Sequence, residues 1–400
     1  MTIEKIVLHK QADKRVKQGY PWIYSNEIDT KKTPLSSFSP GQVVRVFNHL
    51  GEAIASAYVN PHSLICARIV SFDPKQILNE ILIEQRLAVA ISLREACFDK
   101  PYYRLVFGEG DFLPGLIVDR FDAHIVAQLN TAGMEQQKEA IKHALVNLLN
   151  PDSILLKNTS AIRNLEHLPQ MVEPLLGHPP EFVELEENQV LFQAPLLEGQ
   201  KTGWFYDHRL NRALISSFVL DKKVLDVFSY VGAFGIQAAV KGAASVTCVD
   251  ASDFALKQVK RNAKLNGVDD KVTTICEDAF DALNHLKNEN EHFDVIILDP
   301  PAFIKKRKDS EAGLQAYIRI NTLAMKLLTP SGILLSASCS MHLSRDMMLM
   351  MLQKAAQRAG KSLQILAQGH QGFDHPLHPL LPEMDYLKAF VVRVNGSASE

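Results

Sequence analysis

The first part of the chain alternates apolar and polar positions in short runs. "QVVRVFN" and "LICARIV" put every second side chain on one face, and "SPG" and "NPH" interrupt them, so residues 1–74 are expected to form a small β-barrel. The period changes at Ile77. From there to Phe98, "ILNEILIEQRLAVAISLREACF" repeats its apolar residues every three or four positions, which predicts a helix. "YRLVFGEG", "PGLIVDRF" and "HIVAQLN" then read as strands and 133–149 as a helix. Residues 75–189 are therefore expected to be a central α+β domain, ending in a proline-containing, acidic linker over 164–189.

From residue 190 onward strands and helices alternate. "KVLDVFS" (223–229), "SVTCVD" (245–250), "KVTTICED" (271–278), "FDVIILD" (293–299) and "GILLSASCS" (332–340) are short β-rich runs, most of them separated by helical stretches. This predicts a parallel α/β sheet with its ligand at the carboxyl ends of the strands. The helix after the second strand is well marked, with Ser252 as N-cap, Leu256, Val259 and Ala263 on one face, and Gly267 to stop it. "SLQILAQG" and "LKAFVVRV" extend the sheet to seven strands, so residues 190–400 are expected to be a Rossmann-like domain.

Composition narrows the class. No run approaches about 18 apolar residues and the start, "MTIEKIVLHK", lacks an apolar leader, so a cytoplasmic protein without membrane contact is expected. Five cysteines show no C-x-x-C spacing, which argues against a disulfide framework and a zinc site, and no metal is expected. Net charge is −2, but residues 75–190 hold ten Lys and Arg against seventeen Asp and Glu, whereas both ends are slightly basic. Both ends can thus approach a polyanion. Lys14, Arg15 and Lys17, near Tyr20 and Trp22, offer phosphate contacts beside aromatic surface, unless the aromatics are barrel core and the charges only solvated.

Chemistry gathers where the predicted strands end. "DVFSYVGAFG" places Gly232 and Gly235 at a strand-to-helix turn, where backbone approaches a ligand at a helix N-terminus. Asp226, Asp250, Asp278 and Asp299 lie at the carboxyl ends of four successive strands and so belong to one crevice. The G-x-G-x-x-G fingerprint and a Walker lysine loop are both absent. S-adenosylmethionine suits the spacing better: its ribose would meet Asp250 with Ala251 and Ser252, its adenine Asp278 and Ala279, and its charged end Asp226, Phe228 and Ser229. "DPPAFIKKRKD" then makes a rigid lip after Asp299, where a planar base can lie, and its basic run from Lys305 to Lys308 is either a solvated loop or a contact for RNA phosphates. "SASCSMH" ends the fifth strand with Cys339 next to that lip. Cytosine C5 is a poor nucleophile until a thiolate adds at C6, so Cys339 is the candidate nucleophile and Asp299 the group that bonds the N3 edge.

"DVFSYVGAFG", "DPPAF", "SCS" and "GQKTGWFYDHRLNR" (199–212), together with "RVKQGYPWIYSNEI" (15–28), resemble the PUA-containing class I methyltransferases, in particular the bacterial 23S ribosomal RNA cytosine-5 type. The resemblance covers nearly the whole chain. It implies a PUA domain, a central α+β domain and a catalytic Rossmann-like domain, with S-adenosylmethionine as methyl donor and 23S ribosomal RNA as partner, acting as a monomer or homodimer. It also implies that the segment around Thr202, Phe205, Asp207 and Arg209 closes over the donor, and that Cys339 is the nucleophile. Ala302 stands where the family often has Lys, and no second cysteine follows the fourth strand, so the base that removes the C5 proton is unassigned. His208 is expected to be structural or to support the residues that touch the ligands, because methyl transfer needs no imidazole. Two other functions fit part of the pattern: methylation of a guanine ring nitrogen, which needs no thiol, and RNA binding with a vestigial donor pocket.

Overall fold

A computed structural model describes residues 3–304 and 306–396, so Lys305 of the basic run lies outside the described residues. The chain divides into two compact units: Met1–Val183 with Pro195–Tyr206 and Phe373–Met384, and Glu184–Ala194 with Asp207–Gly372 and Asp385–Glu400.

The first unit holds two five-stranded sheets. In the N-terminal one the strands run Glu4–Val7, Gln42–Phe47, Ala53–Val59, Ala67–Ser71 and Trp22–Ile23 in spatial order. Its alternation buries Val44, Val46, Ala55 and Ala57 on one side. Tyr58 leaves that core for the next one, donating or accepting at Thr131 Oγ1 (2.9 Å) and donating to the Pro114 carbonyl (2.8 Å). The basic residues near Tyr20 have local carboxylate partners: Arg15 pairs with Glu27 (3.0 Å) and lies 3.8 Å over the Tyr20 ring, and Lys17 pairs with Asp13 (3.2 Å). Trp22 is half-buried, its Nε1 donating to Glu109 at 2.7 Å.

The second sheet of this unit runs Met171–Leu176, Ser153–Asn158, His124–Leu129, Leu116–Phe121 and Tyr102–Phe107, with helices Glu80–Cys97 and Lys138–Leu149. The supposed linker over 164–189 is thus structured and the expectation needs correcting. Its prolines misled because Pro174 sits in an edge strand, the one place in a sheet where a missing N–H is tolerated. Further on, Phe182–Glu187 pairs with Val190–Pro195 across a turn with Asn188 and Gln189 both at positive φ, as a two-residue hairpin loop requires.

The second unit is built on a seven-stranded sheet. Its strands are β1 (Lys223–Val227), β2 (Ser245–Asp250), β3 (Val272–Cys276), β4 (Phe293–Leu298), β5 (Leu328–Ser338), β6 (Ser362–Gly369) and β7 (Lys388–Asn395), in the order 3-2-1-4-5-7-6. β1 to β5 are parallel, and β7 runs antiparallel to both β5 and β6. The inner strands are apolar, "VIIL" throughout and "VLDV" but for Asp226, because α1 (Ala233–Val240), α2 (Asp253–Leu265), α3 (Ala279–Asn288), α4 (Ser310–Leu327) and α5 (Arg345–Ala359) cover the sheet. β1 and β4 are neighbours and their crossovers leave in opposite directions. That switch point opens a crevice outside their carboxyl ends.

Candidate active site

β1 ends in a turn whose backbone is unusual. Phe228 and Tyr230 both take positive φ, +65° and +49°, which non-glycine residues rarely do. The turn brings the Tyr230 N–H to Asp250 Oδ2 (2.9 Å), while Ser252 N–H binds Asp250 Oδ1 (2.9 Å). Asp250 is therefore fixed by backbone donors on both oxygens, and each oxygen keeps a lone pair for a ribose hydroxyl. Ser252 caps α2 through Ala255 N–H (3.2 Å), as expected, and Ala251 is exposed beside it. Asp278 caps α3 through Phe280 N–H (2.8 Å), followed by buried Ala279.

Asp226 is buried and accepts the Gly235 N–H at 2.8 Å. A Cβ on Gly235 would stand 2.6 Å from Cys248 Sγ and 3.0 Å from Asp226 Oδ2, so only glycine lets α1 approach the strand. Burial pushes the Asp226 carboxyl up to about 7. The Gly235 donor opposes this, and the charges of Asp299 and Asp250 add to it. Asp226 Oδ1 and the Ser229 hydroxyl are buried with no hydrogen-bond partner among the described residues. Two orphaned polar groups in one glycine turn fit a polar, cationic ligand end, such as the amino acid part of S-adenosylmethionine.

The other flank is made by β4 and β5. Phe303, in the lip, lies 6.4 Å from Phe228, 6.3 Å from Phe280 and 4.8 Å from Tyr317, ring to ring. The two serines around Cys339 hold the lip in place. Ser338 donates to Tyr317 Oη (2.9 Å), which also accepts the Phe303 N–H (3.3 Å), and Ser340 donates to the Ile304 carbonyl (2.7 Å). Both serines are buried, whereas Cys339 between them is partly exposed. Alternation therefore separates the clamp from the thiol. Burial, with a smaller contribution from the Cys339 and Asp299 charges, pushes the Tyr317 phenol up to about 12.

Asp299 stands one residue past β4 and is bound by His208 Nε2 at 3.1 Å. Burial alone would lower the His208 pKa, but the charge and hydrogen bond of Asp299, helped by Asp207, raise it above the ordinary value. Asp207 accepts from Tyr386 Oη (2.6 Å), and Arg209 pairs with Glu187 (3.3 Å), which also binds Arg212 (2.5 Å). Thr202 and Phe205 belong to the first unit: the Thr202 hydroxyl, buried, donates to the Trp204 carbonyl (3.4 Å), and Lys201 sits over the Phe205 ring at 4.8 Å.

Two polar groups at this flank carry no catalytic signal in the sequence. His208 answers no requirement of methyl transfer for an imidazole. Lys388, part of an apolar strand, is buried opposite Ser338 and donates to the Ser340 carbonyl at 2.6 Å. Burial pushes its ammonium down to about 8, and the charge of Asp385 acts in the opposite sense. A lysine opening the run "KAFVVRV" is the signal that could have been used, since alternation buries it. Among the described residues no cluster of side chains could hold a metal ion, and no helix is long and apolar enough to cross a membrane.

Comparison with known proteins adds the following. Residues 6–72 match the family model of a PUA-like domain, and residues 128–385 that of an S-adenosylmethionine-dependent methyltransferase. A ribosomal RNA large subunit methyltransferase I from Klebsiella pneumoniae (strain 342) is 35% identical over 395 residues, which are 98% of either chain. A Streptococcus mutans chain described as an S-adenosylmethionine-dependent methyltransferase shares the fold with a TM-score of 0.82 at 20% identity, over 98% of this chain and 100% of that one. A methyltransferase structure complexed with S-adenosylhomocysteine superposes with a TM-score of 0.81, again at 20% identity and with the same coverage.

Proposed function

Since this chain belongs to the PUA-containing family of S-adenosylmethionine-dependent methyltransferases, we propose that it methylates C5 of a cytosine in 23S ribosomal RNA, in the cytoplasm, through a covalent bond from Cys339 to C6. The large-subunit ribosomal RNA substrate is carried over from the name of its relatives. The observation that supports cytosine C5 is the placement of Cys339. It is partly exposed at the end of β5, between two serines that pin the lip following Asp299. A guanine ring nitrogen already has a lone pair and gives such a thiol nothing to do.

The donor supplies an electrophilic methyl group on a sulfonium. Asp250 holds the ribose hydroxyls, Asp278 and Ala279 border the adenine, and Asp226 and Ser229 take the charged end; Asp207 and Arg209 close over it. Cys339 adds to C6, which makes C5 enamine-like and able to take the methyl group. Asp299 bonds the N3 edge and stabilises the adduct. Loss of the C5 proton then expels the sulfur.

The test is tritium transfer from labelled S-adenosylmethionine into ribosomal RNA from cells lacking the protein, followed by mass mapping. The wild-type chain should label one cytosine at C5, and Cys339→Ala should label nothing while still binding the donor. A Cys339→Ala variant that keeps its turnover would return the assignment to a guanine ring nitrogen, and a wild-type chain that transfers no label would leave only RNA binding.

A further inference from the structure

Both ring nitrogens of His208 are engaged in the buried space behind Asp299. Nε2 is 3.1 Å from Asp299 Oδ1, and Nδ1 is 3.1 Å from Asn211 Nδ2. An amide nitrogen only donates, so here Nδ1 accepts and Nε2 carries the proton directed at Asp299. That arrangement leaves Asn211 Oδ1 buried with no hydrogen-bond partner among the described residues. A half-turn of the same amide aims Oδ1 at Nδ1, a favourable contact only when Nδ1 also bears a proton. An acceptor for the second proton is therefore already in place beside the ring.

The charges around the ring point the same way. Asp299 at the end of β4 and Asp207 in the adjoining segment favour the imidazolium, while burial and Arg212 oppose it, and the carboxylates prevail. The Phe234 ring of α1 packs edge-on against the imidazole at 5.3 Å.

We propose that His208 is a positioning residue that stores the proton needed at cytosine N3 and delivers it through the Asp299 carboxyl group. This inference rests on the cytosine-5 assignment above. As the Sγ–C6 bond forms, the C5–C6 π pair moves into the ring and N3 gains a proton: Nε2 of the imidazolium passes it to the Asp299 carboxylate, and the carboxyl group so formed hands it to N3. C5 then bonds the methyl group as the donor's sulfur–methyl bond breaks. A water molecule takes the C5 proton, the ring electrons expel the Cys339 thiolate, and the N3 proton returns through Asp299 to His208.

The experiment is single-turnover methyl transfer as a function of pH, with product identity read by mass spectrometry and donor affinity measured alongside. The wild type should lose rate on the alkaline side as the imidazolium is lost. His208→Gln keeps an N–H for Asp299 but stores no proton, so it should be slower at pH 7 by about 100-fold and lack that alkaline limb, with unchanged donor affinity. Asn211→Asp puts a carboxylate on Nδ1 and should move the limb to higher pH. A His208→Gln enzyme with wild-type rate and limb would overturn the inference; so would an Asn211→Asp limb that stays put, which serves if the first variant does not fold. A wild-type product other than 5-methylcytosine would instead sink the cytosine-5 assignment itself.

Discussion

The two flanks of the crevice in the second unit are held together differently. On the side of β1, β2 and β3, each carboxylate is fixed by backbone N–H groups: Asp226 by Gly235, Asp250 by Tyr230 and Ser252, Asp278 by Phe280. On the side of β4 and β5, side chains do the fixing: His208 on Asp299, Tyr317 on Ser338, Lys388 on the Ser340 carbonyl. Backbone donors do not titrate and do not leave, which suits a site that grips one unchanging cofactor. Buried titratable partners change charge, which suits the proposed chemistry, in which a thiolate forms, adds and departs.

Substitutions can break each flank separately. The largest effect is expected on the chemical flank, where Cys339→Ala should cut methyl transfer by at least about 10⁴-fold while calorimetry finds donor affinity unchanged. On the donor flank Asp250→Ala strands two N–H groups and should weaken donor binding about 100-fold, with alkylation of Cys339 by iodoacetamide unaffected.

Asp226 sharpens the contrast through pH. Its carboxyl is raised to about 7, so the folded chain holds a proton that the unfolded chain releases near 4. The contribution of this one group to stability is therefore greatest below about 4 and falls as pH rises to about 7, by about 3–4 kcal/mol without ligand. Asp226→Asn keeps an acceptor for Gly235 and should flatten that slope in urea melts between pH 5 and 8. The smallest effect is expected for Ser340→Ala. It frees the Ile304 carbonyl and should slow turnover only a few-fold, about 1 kcal/mol, at unchanged donor affinity.

The turns that fix the carboxylates of the proposed donor flank were readable in the sequence because their parts are local. Each aspartate closes a short apolar run, and its partner lies 2 to 20 residues away, within one strand-turn-helix unit or the next strand. The chemical flank was readable only in part. Cys339 and Asp299 stood out by position, but Ser340 and Lys388 are 48 residues apart, and only the antiparallel pairing of β5 with β7 brings them together. His208 likewise sits before β1 and reaches a residue after β4, which no local pattern reveals. The stretch over 164–189 failed for a related reason: Pro174 is a breaker unless the strand is at an edge, and edge position is a property of the whole sheet.

The covalent bond itself is the most direct test. RNA substrate carrying 5-fluorocytidine cannot lose its C5 substituent as a proton, so with S-adenosylmethionine present the adduct should persist. The account predicts an RNA–protein species that survives a denaturing gel, whose peptide map places the nucleotide on Cys339 and which Cys339→Ala does not form. No linked species, or one attached to another residue, would contradict it.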